Sequence, residues 1–97
     1  MGRKSRAKKL RKILHELASH MEQHFETEDN SDPREECVKL YELAANFANE
    51  QYPDLSDENC KEVGILIAKL LNEYFEQKAK HLGIPDVNAY LARAWEP

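Results

Sequence analysis

Apolar residues recur at helical spacing in four separate stretches of this chain. In the first, Leu10, Leu14, Leu17, Met21 and Phe25 follow one another at intervals of four, three, four and four, which lines them up on one helix face. Ala7 and Ala18 border that stripe, and a helix over about residues 4–27 is expected. In the second, Cys37, Leu40, Tyr41, Ala44, Phe47 and Ala48 mark the buried face of a helix over 33–51. The third stretch carries Cys60, Val63, Ile67, Leu70, Leu71, Tyr74 and Phe75, with Leu66 off to one side, and predicts a long helix over 57–82. A face that broad belongs to a central helix touched from more than one side. Val87, Tyr90, Leu91, Ala94 and Trp95 define a short last helix over about 86–95.

The segments between these stripes carry the chemistry that stops and starts helices. Residues 27–33, Thr-Glu-Asp-Asn-Ser-Asp-Pro, form a polar breaker loop. Within it Asp32 is placed as an N-cap and Pro33 in the first turn, where its missing N–H costs nothing; Glu35 is spaced to complete a capping box. Ser56 is the next N-cap, with Asp57 and Glu58 after it against the helix dipole. Gly83, Ile84 and Pro85 make a helix stop, and Asp86 caps the short last helix. Runs of β-branched residues are nearly absent, so strands are not expected. The fold class expected is all-α, a compact bundle of four helices in a single domain over 1–97. Gly64 falls inside the third helix, where it costs about 1 kcal/mol against Ala, and it points to a close helix crossing. The long loop after the first helix leaves open whether that helix packs on its own chain or on a second copy.

Charge changes this picture of a plain bundle. Residues 1–12 hold seven basic side chains and no acidic one, while residues 13–97 hold seven basic and eighteen acidic ones, a balance of −11. The net value of −4 conceals that split. Arg3 and Arg6 would project along the apolar stripe, so residues 1–6 are expected to leave the core as a flexible basic arm. Lys4, Lys8, Arg11 and Lys12 fall on the opposite face, and Lys9 completes the cluster. Clustered Arg and Lys neutralise phosphates in a salt-dependent way, and no aromatic residue is interleaved to stack on bases. Arg3, Lys4, Arg6, Lys8, Lys9, Arg11 and Lys12 are therefore the candidate residues for binding nucleic acid or another acidic partner.

Other motifs are weaker. Glu16, His20 and His24 are four residues apart and form a strip that a transition metal could use. His15 and His20 are one residue too far apart for the zinc-protease pattern, and no cysteine pair has zinc-finger spacing. No metal or cofactor is expected. Cys37 and Cys60 sit at apolar positions and are expected to be reduced and buried. The carboxylate clusters coincide with helix starts and a loop, and no Gly-rich loop or nucleophile elbow accompanies them, so an enzyme is not expected. No apolar run reaches membrane-spanning length, and a cytoplasmic location is the expectation. Tyr90 and Trp95 are spaced for core docking rather than as interface anchors.

The function expected is that of a small regulatory or accessory binding protein. Its helical body docks a protein partner or itself, with the first helix as the seam of a homodimer, and its basic arm contacts an acidic surface, most plausibly nucleic acid. A dedicated DNA- or RNA-binding protein is the second reading. It is weakened because a helix-turn-helix needs a short turn and a basic recognition helix, and here the second and third helices start acidic. An acidic inhibitor that mimics nucleic acid is the third.

Overall fold

A computed structural model describes residues 3–97, with side chains from Lys8 onward. Four helices are present: α1 (Arg3–Glu22), α2 (Pro33–Gln51), α3 (Asp57–His81) and α4 (Val87–Ala94). There is no strand among the described residues. Of the arm expected over residues 1–6, residues 1 and 2 and the side chains of Arg3, Lys4 and Arg6 lie outside the described residues, while the backbone of residues 3–6 forms the first turn of α1.

The local signals set three of the four starts. Asp32 caps α2 by accepting the Arg34 N–H at 3.1 Å, one position short of the bond that a capping box would use. Its other oxygen takes Arg93 Nη2 at 3.2 Å, which ties the start of α2 to the end of α4. Ser56 caps α3 through the Asn59 N–H at 3.2 Å, and Asp86 caps α4 through the Ala89 N–H at 3.0 Å. α3 stops as its sequence dictates. Gly83 takes φ +72°, the Ile84 N–H donates to the Ala79 carbonyl at 2.9 Å and the Gly83 N–H to that of Lys80 at 3.2 Å. These are the paired bonds of a Schellman cap.

α1 ends at Glu22, well before the expected end at Thr27. Phe25 keeps the helical spacing but not the helix. Its ring stacks on Tyr74 at 4.1 Å between centroids, and the Glu26 N–H donates to the Tyr74 hydroxyl at 3.1 Å. Those interactions pull the chain off the helix axis.

The core is built from all four elements. Ile13, Leu17 and Met21 of α1 are fully buried and share one core with Leu40 and Ala44 of α2, Ile67, Leu71 and Phe75 of α3, and Ala94, which α4 adds from the side between α2 and α3. α1 thus packs on its own chain. The buried line of α1 runs through Ile13, with Leu10 and Leu14 half-buried on its edge. α2 and α3 are antiparallel, since Tyr41 of α2 meets Gly64 while Glu36 meets Lys78. A Cβ built at Gly64 would lie 3.4 Å from the Tyr41 hydroxyl. Gly64 therefore faces a side chain rather than the backbone crossing that the sequence suggests. α1 and α3 run parallel. Two neighbouring grooves between them are lined first by residues 11–18 with 66–73, then by residues 18–27 with 70–77.

Two placements differ from the sequence expectation. Cys60 is exposed, its Sγ–H 3.9 Å from the Leu55 carbonyl, because it lies in the first turn of α3 on an open groove shared with Ala45 and Asn49 of α2. Trp95 is 39% exposed. α4 ends at Ala94, so the indole sits past the helix, edge-on to Tyr41 at 6.5 Å and with Nε1 donating to Asn72 Oδ1 at 2.6 Å. Both cysteines are free thiols. Burial, and then the neighbouring Glu36 carboxylate, push the Cys37 thiol up to about 11. Thiolate is the nucleophile. Iodoacetamide at neutral pH is therefore expected to label one thiol per folded chain, at Cys60, with Cys37 modified only on unfolding. Peptide mapping checks this, and equal labelling of the two would contradict the burial of Cys37.

Candidate functional site

The basic cluster runs from Arg3 to Lys12 in the sequence, and its described side chains are those of Lys8, Lys9, Arg11 and Lys12. Lys8, Lys9, Arg11 and Lys12 are all exposed, and among the described residues none of them is in an ion pair. At 100° per residue, Lys8 and Lys12 point away from the buried Ile13–Leu17–Met21 line. Lys9 and Arg11 flank them on either side, Arg11 toward α3.

The first turn of α1, with Arg3, Lys4 and Arg6 in its sequence, runs against helix electrostatics. The N-terminus of a helix carries a partial positive charge, which favours acidic side chains. α2 and α3 obey that rule with Glu35 and Glu36, and with Asp57 and Glu58. α1 has no acidic residue in its first turn. Its other end leads into Glu26, Glu28 and Asp29. The cations are thus not there to stabilise the helix that carries them. An anionic partner would relieve their mutual repulsion.

The histidine strip does not assemble. His24 lies past the end of α1, its ring centroid 5.2 Å from that of His20 and tilted by 58°. His20 stacks instead on Phe47 of α2, with centroids 4.3 Å apart and planes within 14°. Glu16 is half-buried one turn earlier. Among the described residues no three His, Cys, Asp or Glu side chains come together as a metal-holding group.

A second polar feature lies where no sequence motif marked one. Lys78 on α3 is completely buried. Its Nζ donates to both Glu36 oxygens, at 2.5 and 2.7 Å, and to the Tyr74 hydroxyl at 3.3 Å. The Tyr74 O–H donates to Glu36 Oε2 at 3.0 Å, with the Glu26 carbonyl at 3.2 Å as its alternative acceptor. The Lys78 ammonium also sits 5.5 Å from the Tyr74 ring centroid. Burial pushes the Tyr74 hydroxyl above its ordinary range; the Glu26 N–H opposes this and the Glu36 charge adds to it. Every member of this cluster is engaged within the fold, so it joins the loop after α1, the start of α2 and the end of α3. It offers no open coordination or nucleophile. One trace of it was in the sequence. Lys78 falls four residues after Tyr74 and seven after Leu71, on the apolar stripe of α3.

Several grooves open at the surface of the described residues, and two of them bear on docking. The larger, about 550 Å³, lies between α1 and α3 over the half-buried Leu14, Ala18, Leu66 and Leu70, with Arg11 and His15 on its lip. The smaller, about 220 Å³, lies between α2 and α4 beside Trp95 and the exposed Val38. Among the described residues no helix is long and apolar enough to cross a membrane. Comparison with protein-family models, curated proteins and solved structures gives no match to this chain.

Proposed function

We propose that this is a non-enzymatic accessory binding protein whose basic end contacts a polyanion, nucleic acid, while its helical body docks a protein. One observation carries this reading. Four exposed cations, Lys8, Lys9, Arg11 and Lys12, stand together on the outer side of α1, unpaired among the described residues. The basic residues Arg3, Lys4 and Arg6 precede them in sequence. Rigid helical spacing presents the four as a surface. The absence of interleaved aromatic residues favours binding to the phosphate backbone over base stacking.

The test is salt-dependent binding to a labelled DNA duplex and to a single-stranded RNA. Replacing Lys8, Lys9 and Lys12 together by Gln leaves the core untouched. Removing one phosphate-neutralising charge reduces the magnitude of the slope of log K against log salt by about 0.9 on duplex DNA, so the triple variant is expected to reduce it by up to about 2.7. Affinity should fall uniformly across sequences. An unchanged slope and affinity in the triple variant would remove the polyanion role of this surface.

A further inference from the structure

We infer that the groove between α1 and α3 is the docking surface for a second copy of this chain, seated on a two-fold axis. This rests on the proposed reading in which the helical body docks a protein, and it names that protein. α1, α2 and α3 form a triangle in which each helix touches the other two. α4 lies over the side between α2 and α3, and among the described residues it does not pack on α1. The side between α1 and α3 has no such cover, although Leu14, Ala18, Leu66 and Leu70 give it an apolar floor.

The charges along its lips identify the occupant. Arg11 stands at one end of the α1 lip and Glu22 at the other. Lys69 and Glu73 stand in the same order on the α3 lip. Because α1 and α3 are parallel, both lips run from positive to negative in the same direction. A second copy turned end for end presents the reverse sequence. An axis lying in the groove face, at right angles to both helices, crosses α1 midway between Arg11 and Glu22 and α3 midway between Lys69 and Glu73. Those two midpoints sit at the same level of the groove, given the residues that line it together. Around that axis Arg11 meets Glu22 of the second copy, Lys69 meets its Glu73, and the two apolar floors face each other, shut off from water by the paired lips. Each pairing occurs twice, as an isologous interface requires. Arg11, Glu22, Lys69 and Glu73 are all exposed. None of them is in an ion pair among the described residues, so each is available to a partner; in the dimer Glu22 of the second copy takes Arg11, which leaves Lys8, Lys9 and Lys12 to the polyanion.

Sedimentation equilibrium of the full chain, without nucleic acid and from about 1 µM to about 1 mM, is expected to show a reversible monomer–dimer equilibrium. Arg11→Glu and Glu22→Arg should each weaken the dimer at least about tenfold, because each sets two like-charge pairs face to face. The double variant Arg11→Glu with Glu22→Arg restores opposite signs and should return the dissociation constant to within about threefold of the original. Leu70→Glu should abolish the dimer, with circular dichroism checking that the helices remain. A chain that stays monomeric to about 1 mM overturns the inference, as does a dimer that ignores the single variants or is not rescued by the double one. A monomer that still binds DNA would sink this inference alone. A dimer indifferent to DNA would sink only the polyanion reading.

Discussion

Lys78→Met, with Glu36 left in place, is expected to lower the unfolding free energy by about 3–5 kcal/mol, because it strands a carboxylate that is out of water. The Glu36 side chain is 11% exposed and that of Lys78 0%. Domains of this kind are held by only about 5–15 kcal/mol in total, so the variant should be close to the edge of folding. Urea unfolding monitored by far-ultraviolet circular dichroism measures the loss. The same buried geometry predicts an asymmetry. Replacing both partners, Glu36→Leu with Lys78→Met, should recover most of the stability, since a well-packed apolar pair is often as stable as the ion pair it replaces. A single-variant loss below about 1 kcal/mol would mean that the pair behaves like an exposed one, and the buried pairing would then be wrong.

Leu17→Ala is expected to cost about 2–5 kcal/mol, the range for emptying a packed core position. Leu17 has no exposed surface and lies on the line of α1 that faces the interior of its own chain. The destabilisation should therefore be the same at low and high protein concentration. Among folded chains the proposed dimer should keep its original dissociation constant, because Leu14 and Ala18, not Leu17, face the groove. A destabilisation that emerges only as the protein is concentrated would place Leu17 between copies instead.

The parts of the fold that were legible in the sequence are those that local chemistry decides. The start of α2 at Pro33 and the stop after α3 at Gly83 each depend on a few adjacent residues, and both stand where the sequence put them. The end of α1 was not legible. Phe25 and Glu26 leave the helix for Tyr74, which is 48 residues beyond Glu26, and no local pattern encodes such a long-range pairing. The buried ion pair was hidden for a related reason. Glu36 and Lys78 are unremarkable in a chain rich in both residue types, and only their positions on two packed stripes mark them. Trp95 fitted the stripe of α4, but a helix of eight residues is too short to bury a ring beyond its last turn. The basic cluster was visible from charge order alone. Its neighbour, the groove, was not, because its lips come from helices that are separated in sequence and become parallel only in the fold.

The order of charge along α1 also governs how the molecule approaches others. Cations gather at one end of a helix of 20 residues, about 30 Å long, and carboxylates lie beyond the other end. A body that is net negative would be slowed on its way to an anionic surface if it met that surface at random. A separated charge pattern of this length instead exerts a torque in an external field. The molecule should turn before it touches and arrive with the start of α1 leading. That orienting effect acts over a distance set by the screening length, about 10 Å at 0.1 M salt, so added salt should slow encounter as well as weaken the bound state.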